Sequence, residues 1–493
     1  MEGIYYWIEK WAELRPDKAA ILTDDESLSY AKLKDSIDRY VTFLLEEKGV
    51  KPGDRIAVLS HNRHEIIILL FAIAKIQAIA VPLNVRLNPH ELEYQLRDSG
   101  ATLIFVEAEF AAHAEHFRTI EGLEIESFAA LEQLPQAKPY FNEINENASF
   151  IICYTSGTTG KPKGAVLTQK NMFYNALNNV LTLDITSKDR SIVLLPLFHI
   201  GGIGLFALPT LYVGGTIIIG GKFEPDKALQ LAEKHRATLV FAVPSMHQLM
   251  LDSPYFDKLD LSSVRCFYSG GAPCPKELIN AFYEKGFVFG QGFGLTETSP
   301  TVFLLTLEDA PRKIGSVGKP AFYNEVKLVD DEDREVPVGE IGHLIVKGGN
   351  VMKGYWNNEK ATNEALKDGW FYTGDLAKRD EEGFYYIAGR KKEMIISGGE
   401  NIYPLEVENV INGLPDVKEA AVIGIPDERW GEVPIAFVAK RENSPLAETE
   451  IIEYCKKYLA KYKVPKEVHF MDELPKNSTG KIAKNQLSQL INK

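Results

Sequence analysis

The chain has 493 residues, 45% of them hydrophobic and 25% charged, and its 55 Lys and Arg against 68 Asp and Glu leave a formal net charge of −13. At about 100–200 residues per domain this length predicts roughly three structural units, with ample material for a core. Net acidity excludes general nucleic-acid binding, which needs a basic face, but not anionic small ligands, because a local cationic patch can oppose the global sign.

Cys153, Cys266, Cys274 and Cys455 form no C-x-x-C pair and read as reduced thiols of a cytoplasmic protein. The N-terminus alternates charged and aromatic residues and lacks the apolar run of a secretory signal. The most membrane-like stretch, 66–81, is interrupted by Lys75 and Gln77 and falls short of the ~20 residues a spanning helix needs. A buried helix is expected there, and no transmembrane segment.

Residues 1 to about 150 alternate helix-like runs such as 29–49 with strand-like runs at 54–60 and 101–108, a pattern of parallel sheets covered by helices. The alternation continues to about 309, with strands expected at 150–154, 192–195, 216–219, 238–242 and 266–269. From about 313 to 389 glycines become dense between short β-branched runs, which predicts a β-rich subdomain. The charged segment 390–392 marks a boundary, and 393–493 reads as a small, mobile α+β domain. The fold class is therefore α/β: a large N-terminal unit (1–389) of helix-covered sheets, its β-rich part, and a C-terminal lid.

Residues 154–164, Tyr-Thr-Ser-Gly-Thr-Thr-Gly-Lys-Pro-Lys-Gly, follow an apolar strand and hold three glycines, four aliphatic hydroxyls and two lysines. Glycines let backbone N–H groups approach and cradle an anion, hydroxyls add hydrogen bonds, and lysines add charge. The spacing is not that of a Walker A loop, since Lys161 is followed by Pro. The segment closely resembles the signature of the adenylate-forming superfamily, which includes acyl-CoA synthetases, nonribosomal-peptide adenylation domains and luciferases. Further signatures follow in the same order along the chain.

The resemblance implies a role for each. Thr155, Ser156, Gly157, Thr158, Thr159, Gly160, Lys161 and Lys163 would hold ATP phosphates. Leu195–His199 resembles the acyl-pocket segment, with His199, Gly202, Ser245, Gly270 and Gly292 as pocket residues and His199 lining or gating rather than transferring protons. Gly271, Ala272 and Pro273 would lie against adenine. Phe293, Gly294, Thr296 and Glu297, preceded by Gly292, match a nucleotide-binding Y-G-x-T-E motif in which Phe293 replaces Tyr, keeping the stacking face and losing a hydroxyl. Glu297, with Thr155, would hold Mg²⁺, a cation that prefers hard oxygen ligands. Asp375 of Thr-Gly-Asp would clamp the ribose, and Arg390 would contact it. Lys392 falls at the hinge. Ser397, Gly398, Gly399 and Glu400 would border the coenzyme A tunnel. Lys481 would be the catalytic lysine bridging substrate carboxylate and α-phosphate, and Lys461 and Lys463 are candidate contacts for the coenzyme A phosphates.

The implied function is an ATP-dependent acyl-CoA synthetase, using Mg²⁺ and coenzyme A with a small carboxylic acid. The apolar helix after His199 points toward a medium- or long-chain fatty acid. An o-succinylbenzoate or aryl acid, loading of a separate carrier protein, a luciferase-like oxygenase and a nucleotide sensor stay open. A homodimer is compatible with the reading.

Overall fold

The computed structural model describes residues 3–132, 134–155, 161–442, 444–477 and 480–491. Among them a nine-stranded sheet has the order Lys319–Pro320, Phe303–Leu304, Phe289–Phe293, Cys266–Ser269, Leu239–Ala242, Arg190–Val193, Thr216–Ile219, Ala19–Leu22, Ser27–Ser29. From Phe289–Phe293 to Ala19–Leu22 its strands run parallel. A seven-stranded sheet has the order Gly354–Tyr355, Lys163–Thr168, Ser149–Thr155, Ile79–Pro82, Arg55–Leu59, Leu103–Val106, Glu124–Ser127. It is parallel from Ser149–Thr155 onward and antiparallel at the other edge. Parallel pairing follows from the sequence pattern, because each strand returns through a crossover and not a tight turn.

Helix His64–Ile76 lies between these sheets. Every residue from Ile66 to Ile76 is buried, so the segment is apolar on all sides, as a helix packed on both faces must be. Its core joins Ile21 and Ile217 of one sheet to Ile56, Phe105 and Ile151 of the other. Lys75 is the exception and meets Glu9 at 2.6 Å and Asp38 at 2.9 Å. Among the described residues no helix is long and apolar enough to cross a membrane.

A third, antiparallel sheet comprises Asn324–Val329, Ile341–Gly348, Trp370–Arg379 and Leu366–Lys367, with Tyr385–Arg390 beside Trp370–Arg379. The C-terminal sheet joins Glu400–Ile402, Ile395–Ser397, Gly431–Lys440, Val417–Asp427 and Val468–Met471. Helices Pro404–Ile411 and Glu448–Tyr458 bury Val407, Ile411, Ile451 and Cys455 in one core of that sheet. Helix Lys484–Ile491 buries Leu487 in another, with Ile435 and Phe437.

Strand runs 54–60, 101–108 and 238–242 shorten to Arg55–Leu59, Leu103–Val106 and Leu239–Ala242, and two further elements differ in kind. The run 29–49 is α-helical from Tyr30 to Thr42 and continues as a π-helical turn, Phe43–Glu47. The strand read at 192–195 ends at Val193, which leaves Leu194–His199 as a turn. Truncating the shared layer tests its weight: Phe71 is fully buried, and Phe71→Ala is expected to cost about 3–5 kcal/mol. Calorimetry should show a lower midpoint for the N-terminal transition; an unchanged midpoint would deny the helix that role.

Candidate active site

The parallel strands end along one edge of the larger sheet, and several sequence-predicted site residues follow those ends. Leu194–His199 follows Arg190–Val193, Ser245 follows Leu239–Ala242, Gly270–Pro273 follows Cys266–Ser269, and Gly294 follows Phe289–Phe293. Open α/β sheets bind ligands at these carboxyl ends. Asn62, just beyond strand Arg55–Leu59 of the other sheet, holds the Leu195–Leu197 turn: its amide donates to Leu195 O (2.8 Å) and accepts from Leu197 N (2.7 Å).

Thr155 ends its strand opposite Lys163, so the two ends of segment 156–162 stand side by side. Ser156, Gly157, Thr158, Thr159 and Gly160 lie outside the described residues. The Lys163 ammonium stands 5.2 Å from the Tyr355 ring centre, and the Tyr355 hydroxyl donates to Glu297 Oε1 at 2.8 Å. Burial and the Glu297 charge hold that phenol above its ordinary pKa. Tyr355 is positioned by pairing of Gly354–Tyr355 with strand Lys163–Thr168, and the next residue donates to Gly164 O at 2.7 Å. Lys161 lies 5.9 Å from the Tyr94 ring.

Asp375 and Arg390 are register partners on neighbouring strands, and Arg390 Nε lies 3.0 Å from Asp375 Oδ1. The other carboxylate oxygen, Oδ2, is buried without a hydrogen-bond partner among the described residues. Burial pushes Asp375 up to about 6, against the pull of Arg390 and Lys481. A carboxylate with one oxygen held and one waiting suits a sugar diol, whose hydroxyls donate.

Lys481 sits on the loop closed by Asn477, whose side chain accepts from Lys481 N at 2.9 Å. The residue is exposed by surface area, yet desolvation by the protein packed around its ammonium lowers its pKa. Arg390 adds to the lowering, while Asp375, Glu297 and Glu393 oppose it. Lys481 also acts on His199, which burial brings down to about 4. His199 Nδ1 accepts from Gly201 N at 3.0 Å, so the neutral ring carries its proton on Nε2. His199, Glu297, Asp375, Arg390 and Lys481 thus lie within one electrostatic neighbourhood.

Behind the strand ends the backbone is close. A Cβ on Gly202 would meet Pro196 O at 2.3 Å, and one on Gly294 would meet Pro300 O at 1.6 Å. Gly202–Ala207 is a π-helical turn that leads into helix Leu208–Tyr212. A Cβ on Gly270 would stand 3.2 Å from the Phe241 ring, and one on Gly292 would meet Phe303 O at 2.8 Å and Leu304 at 3.1 Å before Tyr268 at 3.4 Å. Phe206, Phe241 and Tyr268 form a buried ring cluster, with Phe206 and Phe241 centroids 5.6 Å apart and edge-on. Gly271 takes φ +82°, which favours glycine. Ala272 is half-buried, whereas Pro273 and Ser245 are exposed. Phe293 is half-buried, 6.2 Å from the Phe303 ring, and Thr296 opens the turn bearing Glu297.

The profile of the AMP-binding enzyme family matches residues 8–356, and that of the AMP-binding enzyme C-terminal domain matches 406–481. The chain belongs to the AMP-binding enzyme family. It is an acid–thiol ligase that uses ATP and coenzyme A. It is 40% identical to a feruloyl-CoA synthase of Amycolatopsis, over 99% of this chain and 98% of that one. It is 39% identical to an indoleacetate–CoA ligase of Aromatoleum aromaticum, over 98% and 97%. An o-succinylbenzoate CoA synthetase of Bacillus subtilis, solved with its acyl-adenylate, superposes with TM-score 0.89 at 36% identity, covering 98% of this chain and 97% of that one. A fatty acyl CoA synthetase of Mycobacterium tuberculosis gives 0.80 at 35% identity, covering 99% and 98%.

Not every sequence-predicted residue of this AMP-binding enzyme converges. Ser397, Gly398, Gly399 and Glu400 form the tip of a hairpin in the C-terminal sheet, with Ser397 buried and the others exposed. Gly398 N donates to Trp430 O at 2.7 Å, and a Cβ on Gly398 would strike the Trp430 ring at 2.8 Å. Lys463 is engaged with Glu406 at 2.8 Å. Lys392 lies in a 3₁₀ turn after Arg390, and the adjoining Glu393 pairs with Lys484 at 3.1 Å. Sequence reading missed Tyr355, Tyr94, Asn62 and Trp430. Their chemistry is aromatic or amide, which carries no spacing signal, and their partners are remote in sequence.

Asp375 yields a pH prediction. Between the ordinary 3.8 and about 6, the folded chain holds a proton that the unfolded chain has released, so stability falls as pH rises through that window. Nucleotide-free Asp375→Asn should therefore melt above wild type at neutral pH, with the gap closing toward pH 4. No gain at neutral pH would mean that Arg390 and Lys481 fully offset the burial.

Proposed function

We propose that this enzyme is an ATP-dependent CoA ligase for aromatic carboxylic acids. The observation that supports the aromatic assignment is the buried ring cluster in which Phe241 lies beside Gly270 and Tyr268 beside Gly292, with Phe206 packed against both rings. A flat ring can lie against such a cluster, and edge-on aromatic contacts are worth about 0.5–1.5 kcal/mol beyond burial. The relatives named for ferulate, indoleacetate and o-succinylbenzoate support the same choice, in place of the fatty acid read from the sequence. The o-succinylbenzoate reading needs a partner for a second carboxylate, and the three ring residues offer no cation.

The mechanism rests on positioning and charge. Thr155 and Lys163 flank the segment assigned to the ATP phosphates. Glu297 is the assigned Mg²⁺ ligand, with Thr155 beside it; when bound, the ion screens phosphate charge. Asp375 Oδ2 accepts from the ribose hydroxyls while Arg390 holds Oδ1. Lys481 lies between the acid carboxylate and the α-phosphate. A carboxylate oxygen attacks the α-phosphorus, the bond to pyrophosphate breaks, and acyl-AMP remains. The coenzyme A thiol, having given up its proton, then attacks the acyl carbon, and the bond to AMP breaks. Rotation of the C-terminal domain about Lys392 exchanges Lys481 for the Ser397–Glu400 hairpin between the two steps.

Pyrophosphate release from ATP and Mg²⁺ with and without coenzyme A, over ferulate, indoleacetate, benzoate, o-succinylbenzoate, octanoate and palmitate, tests the assignment. Coenzyme A-stimulated turnover with an aromatic acid is expected. Preference for octanoate or palmitate would overturn the aromatic reading, and release indifferent to coenzyme A would favour carrier loading. Lys481→Ala should slow adenylation by about 10²–10³-fold, the scale for one preorganised donor, and spare thioester formation from supplied acyl-AMP. Equal loss of both steps would refute the division of labour.

A further inference from the structure

Outside the active site, His90 and Glu93 stand on helix Pro89–Ser99 and His116 on helix Ala111–Phe117. We propose that these three side chains bind a divalent transition-metal ion of the zinc type, with its fourth coordination position open to water. Their ligand atoms all lie within 4.8 Å of one another. Ligands about 2.0–2.2 Å from a tetrahedral zinc stand roughly 3.4 Å apart, so side-chain rotation suffices to close the set. His116 Nε2 already lies 2.8 Å from Glu93 Oε2, and the His90 and His116 rings are 4.7 Å apart and edge-on. Two imidazoles and a carboxylate form the donor set of many three-ligand zinc sites. The ion takes the place of the proton between His116 Nε2 and Glu93, and the ring bound through Nε2 keeps its proton on Nδ1.

The scaffold is firm. Helix Pro89–Ser99 starts with a capping box, Asn88 accepting from Glu91 N and Glu91 from Asn88 N, each at 3.0 Å. Leu92, Leu96 and Phe117 anchor the two helices in a common core. Arg97 holds Glu93 Oε1 at 2.7 Å, which turns Oε2 toward His116 in the manner of an outer-shell partner. The next stripe of the same helix supports the active site: Tyr94 OH donates to Pro162 O at 3.4 Å, and Asp98 accepts from Tyr154 OH at 2.6 Å. The ion therefore clips the support of the phosphate segment without entering the catalytic machinery.

Full-length enzyme stripped with chelator and free of nucleotide is titrated with Zn²⁺ by calorimetry and with Co²⁺ by visible absorption. One equivalent with a low-coordinate Co²⁺ band is expected. His116→Ala and His90→Ala should each weaken it by at least the roughly 10–100-fold that loss of an outer-shell partner costs. Ligase turnover of both variants should stay at the wild-type level, which shows that they are folded. Uptake of the same stoichiometry and affinity in His116→Ala, or no uptake by the wild-type chain, would overturn the proposal and leave an ordinary surface ion pair.

Discussion

The constraint on which the molecule depends is the common direction of its parallel strands. Six strands of the larger sheet and five of the smaller run parallel within their sheets. Parallel strands bury both faces, and here helix His64–Ile76, buried throughout Ile66–Ile76 and apolar there except for Lys75, fills the layer the two sheets share. In the larger sheet one edge then collects the turns after four successive strands. Leu195, Gly270 and Gly294, distant in sequence, come to one sheet edge because their strands run in one direction.

Electrostatics at that edge runs against the net charge of the chain. A formal −13 is spread over the surface, while Lys163, Arg390 and Lys481 gather around Glu297 and Asp375. The buried Asp375 shows what this arrangement costs the empty fold: its carboxyl is held above the ordinary range with one oxygen unpaired. Such a group lowers stability at neutral pH, and a donor-bearing ligand recovers the loss. His199 is the complementary case, a ring that burial keeps neutral, so its charge does not add to the cations beside it.

Legibility in the sequence followed the range of the interactions. Strands Thr216–Ile219 and Cys266–Ser269 were read to the residue, because short apolar runs between turns leave little choice. Segment 154–164 stood out because its glycines, hydroxyls and lysines are contiguous. Boundaries slipped where a local run continued beyond its pairing, as at Leu194 and Leu195, which look like strand but serve as a turn tied to Asn62. The fatty-acid reading leaned on the hydropathy of the helix after His199; Phe206 lies in that run, and the Phe241 and Tyr268 rings packed against it come from two separate strands.

The sequence by itself determined the family, the reaction class and the order of the motifs, since each motif is a contiguous run whose chemistry is written in its own residue types. The tertiary structure alone decided that Tyr355 joins Lys163 to Glu297, that Asp375 keeps one oxygen free, and that Lys481, not the Ser397–Glu400 hairpin, lies near Asp375. It also alone brought His116 to Glu93. These are pairings between distant segments, set by strand direction and core packing, and no local pattern of residues encodes them.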